Sequence, residues 1–334
     1  MTIVLELYII VCVALLLFDI GFLMLKNSKN QRLNDKDDAF KSKLYRAIQE
    51  YRDTGSYSEA FLQELAKELE KTVHLVSLQD ILEEQTDIQA SFRSILYDLI
   101  DVYRKKPEHE QAFYTYVISA LDYSEEKPYS HFSSKFMQFL QSKSLYTFTN
   151  AMEAIYNFGE VYLMVQALDV LNQRRGFYHQ KLLTDGLLTF KGDFEALNQA
   201  LLQNFAGYEV HIKECLLDYF RMQGCDAKAL CLHLIGEDQP DGEVKYHAMR
   251  YFQKFPCEEA KEIFLQVLQD KESGWIRQML AIQGLQRYED SDVYALVKQK
   301  VTCRDWYVRN NAVELLYKKG LNRTELEELL SLND

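Results

Sequence analysis

A recurrence in the C-terminal half most constrains what this chain can fold into. Segments beginning at Val210, Val244, Ile276 and Val308 fall into register, with first residues 34, 32 and 32 positions apart. A fixed period of that length specifies stacked helical hairpins, each burying on its neighbours a face it cannot bury alone. Stacks of this kind present extended binding surfaces, so the expected class of job is holding a partner. Stepping back 33 positions from Val210 reaches Phe177, and a second step reaches Ser144, both weaker matches. That gives about six units between residues 144 and 330.

Composition agrees. Four prolines and 13 glycines among 334 residues are few, which suits long helices and argues against an all-β fold. A net charge of -12 repels phosphate backbones, so no nucleic-acid partner is expected. The 22 tyrosines and 19 phenylalanines are predicted to fill seams between hairpins, with an aromatic contact patch as the alternative. Six cysteines stand at 12, 215, 225, 231, 257 and 303, without a CxxC pair. Cys225, Cys231 and His233 match no common zinc spacing, so buried thiols in a reducing compartment are predicted.

Residues 7–25 are apolar but for Asp19. Nineteen residues at about 1.5 Å each span roughly 28 Å, the thickness of a bilayer's hydrocarbon. Glu6, not a basic residue, precedes the run, and no small-residue cleavage site follows. An uncleaved anchor over 1–26 is expected, then a polar linker over 27–39. Lys26, Lys29, Arg32 and Lys36 would hold that end in the cytoplasm, with the N-terminus outside. Asp19 carries an insertion cost of about 2.5–3.5 kcal/mol. It is expected to dock on a polar or basic group of another membrane protein, with Gly21 permitting close approach; the competing reading has it snorkel or become protonated in lipid. A cytoplasmic body makes the sequon Asn322-Arg323-Thr324 irrelevant.

Residues 40–143 read as helical with looser periodicity. Phe40, Leu44, Ala47, Ile48 and Tyr51 mark one helix, stopped at Thr54-Gly55-Ser56. Tyr57, Phe61, Leu62, Leu65 and Leu69 mark the next. Pro107 and Pro128 are placed in first helical turns. The spacing leaves open whether this region continues the repeats of 144–334.

Asp305-Trp306-Tyr307-Val308-Arg309-Asn310-Asn311-Ala312 and Trp275-Ile276-Arg277 resemble the HEAT-repeat signature, in which an Asp, an aromatic and a Val-Arg pair open each hairpin's second helix. The chain is similar to the short bacterial form, the phycobilisome-lyase-like repeat. Lys245 replaces the Arg of the Val244 unit, and the Val210 unit has His211 there. The resemblance implies an all-α, curved solenoid whose concave face is lined by second helices, and no catalytic residue. Asp305 would cap its helix. Arg277 and Arg309 are expected to ladder onto carboxylates of neighbouring units, or alternatively to form an anion-binding row on the concave face. The helix from Arg323 would cap the stack with a polar surface.

No phosphate-loop, dinucleotide, zinc-protease or nucleophile-elbow motif occurs, and the seven histidines are scattered. No enzyme, cofactor or metal is therefore expected. Arg174-Arg175-Gly176 is the most basic turn, read as exposed or as a contact to anionic lipid or an acidic partner. The expected function is a single-pass, membrane-anchored cytoplasmic scaffold binding an integral membrane protein, by analogy in a bacterial envelope or exopolysaccharide glycosyltransferase system. The alternatives are a tethered sensor-pathway or peptide-binding module and, against the missing motifs, a HEAT-like lyase-type enzyme.

Overall fold

A computed structural model describes residues 37–174, 179–236, 242–322 and 324–325. Among them the protein is all α, with no strand. The apolar run with Asp19 and Gly21 lies outside the described residues, as do Arg175 and most of the expected capping helix. Among the described residues no helix is long and apolar enough to cross a membrane. Residues 37–39, read as the end of the linker, are already helical.

The chain divides into two compact units, Met1–Ala154 and Ile155–Asp334. The first contains α1 (37–54), α2 (Glu59–Leu69), α3 (Thr72–Glu84), α4 (Gln89–Asp98), α5 (Ile100–Tyr103), α6 (Glu108–Ala120), α7 (Ser130–Phe136) and the start of α8 (Leu145–Phe158). Here α1, α3, α6 and α8 form one row. Lys41 pairs with Asp80 across it at 3.4 Å, Tyr116 donates to Glu83 at 2.8 Å, and Asn150 Nδ2 donates to the Ala112 carbonyl at 2.9 Å. A hairpin repeat therefore runs through residues 40–143 as well. α2, α4, α5 and α7 form its other row.

Tyrosines seal the seams of this unit. Tyr103 and Tyr114 are fully buried and stacked at 4.7 Å. Their hydroxyls donate to the Leu69 and Leu96 carbonyls, both at 2.8 Å. The ring supplies apolar area while the hydroxyl satisfies a carbonyl that the seam cuts off from water. Both prolines sit earlier than expected: Pro107 is the residue that caps α6, and Pro128 precedes Tyr129, which caps α7. Its fixed φ suits the extended residue outside a helix as well as the first turn.

The second unit holds the end of α8, then α9 (Val161–Gln173), α10 (Gln180–Leu188), α11 (Phe194–Asn204), α12 (Val210–Gln223), α13 (Lys228–Gly236), α14 (Glu243–Lys254), α15 (Glu258–Gln269), α16 (Trp275–Gly284), α17 (Ser291–Lys300) and α18 (Trp306–Lys318). Each recurring segment opens a second helix, as expected: Val210 in α12, Val244 in α14, Ile276 in α16 and Val308 in α18. The second helices α10, α12, α14, α16 and α18 pack successively in one row, and α13, α15 and α17 in the other. Gly284 permits a close contact inside one hairpin, because a Cβ there would overlap the Phe264 ring. Gly224, at φ 87°, ends α12 in the left-handed region.

Candidate binding groove

The row of second helices in the second unit carries a groove over α14, α16 and α18, with a volume of about 610 Å³. Its floor is a chain of carboxamides. Gln253 Nε2 donates to Gln283 Oε1 at 3.0 Å, and Gln283 Nε2 donates to Asn311 Oδ1 at 2.8 Å. Asn311 Nδ2 then donates to the Tyr307 carbonyl, one turn back on its own helix, at 2.8 Å. Ile282, Gln286, Arg287, Glu314, Leu315 and Lys318 complete the lining. Helical spacing explains the set: 311, 314, 315 and 318 share one face of α18, and 283, 286 and 287 continue one face of α16.

A carboxamide has two N–H donors and two acceptor lone pairs. The ladder uses one of each at Gln283, leaving an N–H and a lone pair there for a ligand. That donor and acceptor side by side match the N–H and C=O of a peptide backbone, without charge.

The N-terminal ends of α16 and α18 carry an aromatic cluster, whose Tyr307 lies one helical turn before the groove residue Asn311. The Trp275 and Tyr307 rings stack at 5.0 Å and 23°, and Trp306 stands edge-on to Tyr307 at 5.1 Å and 81°. Trp275, Trp306 and Tyr307 are 43%, 57% and 50% exposed. These are both tryptophans of the chain.

Next along the row, Asp218 on α12 lies 3.2 Å from His247 Nδ1 on α14 and 3.0 Å from Arg221. Burial alone would raise the Asp218 carboxyl. The two basic partners outweigh it and hold the group below the ordinary carboxylate range.

Of the basic residues singled out by sequence, Arg277 and Arg309 share the second-helix row and Arg174 stands apart from it. Arg277 and Arg309 occupy the first turns of α16 and α18. Arg309 Nη1 donates to the Cys303 carbonyl at 2.9 Å, tying down the loop before its own helix instead of reaching a neighbouring carboxylate. Arg174 is the residue that ends α9, in the other row, and burial lowers its guanidinium pKa. Asp305 caps α18 as expected, accepting from the Tyr307 and Val308 amides at 2.9 and 3.2 Å. Cys215, Cys225 and Cys231 are buried free thiols, and desolvation pushes Cys215 up to about 12 and Cys225 up to about 11. Among the described residues no group of three His, Cys, Asp or Glu side chains could hold a metal ion. The carboxamide ladder escaped the sequence reading. Its only trace there is the spacing of 30 and 28 residues between Gln253, Gln283 and Asn311, close to the repeat period.

No family model and no curated protein matches the chain. Two crystal structures of engineered proteins from the Northeast Structural Genomics Consortium are similar to it. One is 15% identical, covering 70% of this chain and 97% of its own, with a TM-score of 0.22. The other is 14% identical, covering 81% of this chain and 71% of its own, with a TM-score of 0.25. Likeness at that level says nothing about function.

Proposed function

We propose that the chain is a non-enzymatic scaffold that holds a segment of a partner protein in the groove over α14, α16 and α18. The Gln253–Gln283–Asn311 ladder carries this reading, since it is a row of neutral donors and acceptors suited to main-chain amides. The period of the second helices and the Asp-aromatic-Val-Arg signature support a HEAT-like solenoid as the frame. Residues 7–25 tether this scaffold to the membrane, with the body in the cytoplasm. Asp19 and Gly21 dock the tether against a polytopic partner, in a setting such as an envelope or exopolysaccharide glycosyltransferase system. Tethering raises the local concentration of the groove near that partner, so weak segment binding suffices.

Affinity purification in mild detergent with mass spectrometry, run on wild type, Gln283→Leu and Asp19→Leu, tests both halves. A partner lost with Gln283→Leu supports the groove, and one lost with Asp19→Leu supports the docking anchor. Identical recovery from all three rules out both roles.

A further inference from the structure

Resting on that reading, we infer that the groove's ligand is an acidic polypeptide segment carrying an aromatic residue, whose ring stacks in the corner formed by Trp275, Tyr307 and Trp306. The geometry comes first. Tyr307 and Asn311 are four residues apart on α18, about 6 Å along its axis, and are joined by the Asn311-to-Tyr307 carbonyl hydrogen bond. A main chain seated at the Asn311 end of the ladder therefore lies about 6 Å along α18 from Tyr307. A phenylalanine, tyrosine or tryptophan side chain spans that gap. A proline ring, closed onto its own backbone, does not.

The corner also has the shape for a planar guest. The Trp275–Tyr307 stack is one wall and Trp306, nearly perpendicular to Tyr307, is the other. A ring there can stack on one wall and meet the second edge-on, the two arrangements aromatic pairs prefer. All three side chains are half exposed, so the contact has area left to bury.

Charge decides the rest. The chain as a whole is acidic, at -12. In the two segments that carry the three rings the balance reverses: residues 270–277 and 300–309 hold Lys271, Arg277, Lys300, Arg304 and Arg309 against three acidic residues. Asp305 is held by the α18 amides, as Lys300 is by Gln278 and Arg309 by the Cys303 carbonyl, and each keeps its charge, so the basic excess is two. In the groove Arg287 and Lys318 face a single carboxylate, Glu314, which pairs with Lys318 at 2.7 Å. Such a surroundings repels a cationic guest and attracts carboxylates flanking an aromatic one.

Both tryptophans of the chain lie in this corner, so the whole indole emission reports on it. Full-length protein in detergent is panned with a random-peptide display library, and enriched peptides are titrated against that emission. Enrichment of Asp or Glu around one aromatic residue is expected, with an emission shift on binding. Affinity should fall at least about tenfold when the peptide's aromatic becomes alanine, and likewise in Trp275→Leu or Tyr307→Leu protein that keeps its wild-type melting. Enriched peptides that are basic, lack an aromatic or leave the emission unchanged overturn this inference. If those same peptides still need Gln283, the groove reading survives alone; if acidic aromatic peptides bind Gln283→Leu as well as wild type, the ladder reading falls and the corner stands. No enrichment, or a shift only with anionic phosphatidylglycerol vesicles or an oligosaccharide, overturns both.

Discussion

Along the row α1, α3, α6 and α8 of residues 37–154, the first three helices are joined by charged and phenolic side chains. Along that of residues 155–334, the groove helices are joined by carboxamides. In the first, Lys41 meets Asp80, and Tyr45 and Tyr116 donate to Glu84 and Glu83. In the second, Gln253, Gln283 and Asn311 form a neutral chain. Both rows rest on apolar seams of the same kind, with Phe92 and Phe148 buried in one and Phe220, Phe252 and Phe264 in the other. The seams set the hairpin geometry, which leaves the outer face of each row free to take different chemistry. A ligand that reads main-chain amides suits the carboxamide face; the carboxylate-rich face does not supply paired donors.

The strongest way to break this comparison is to damage one core and watch the other. Phe92→Ala and Phe252→Ala should each cost about 3–5 kcal/mol, because both rings are fully buried. Hydrogen exchange read by mass spectrometry should show lost protection confined to the mutated unit. If Phe92→Ala strips protection equally from residues 155–334, the two units are one cooperative body and the contrast between them loses its meaning. Gly284→Ala is next, at about 1–3 kcal/mol, since the new Cβ must displace the Phe264 ring. Its effect on thermal unfolding should appear only in the second unit.

The same contrast explains what the sequence showed and what it hid. The second unit was legible because its second helices open at Glu243, Trp275 and Trp306, 32 and 31 residues apart, with Val or Ile near each start. The first unit was not, because Thr72, Glu108 and Leu145 open its row at spacings of 36 and 37. The extra residues sit in the broken pair α4 and α5 and in the short α7 with the single turn after it. A longer, drifting step defeats a search at a fixed period. Of the site, Asp305 and Tyr307 were visible within the signature. Gln253 and Gln283 were not, since a polar residue on an exposed helical face looks like solvated surface until its neighbour in the next repeat is placed beside it.

Seam tyrosines allow a finer comparison. Tyr251 OH donates to the Cys225 carbonyl at 2.9 Å and accepts the Ala227 amide at 3.1 Å. Tyr103 OH satisfies one backbone group, the Leu69 carbonyl, and meets the Thr72 side chain as well. Removing a hydroxyl that satisfies buried backbone groups costs about 1–3 kcal/mol. Tyr251→Phe, which strands two groups, should therefore destabilise the second unit more than Tyr103→Phe does the first, as measured by denaturant midpoints at constant slope.

The smallest effects separate the two surfaces by their response to pH and salt. Asp218 titrates lower folded than unfolded, so its pairing with His247 and Arg221 stabilises the second unit above the ordinary carboxylate range, near pH 4. That contribution fades as pH falls through the lower folded value. Asp218→Asn should flatten the acid limb of the second unit's stability curve and leave that of the first unchanged. Salt should act the other way round. Lys41–Asp80 and Arg52–Asp87 are exposed pairs, worth at most about 1 kcal/mol each and screened within roughly 3 Å at 1 M ionic strength. The carboxamide ladder has no net charge to screen. Raising sodium chloride toward 1 M should thus lower the first unit's midpoint slightly while the Gln283-dependent part of the second unit's stability, read from wild type against Gln283→Leu, stays constant. A ladder term that falls with salt in step with the ion pairs would mean that the groove face is governed by the charges around it and not by its amides.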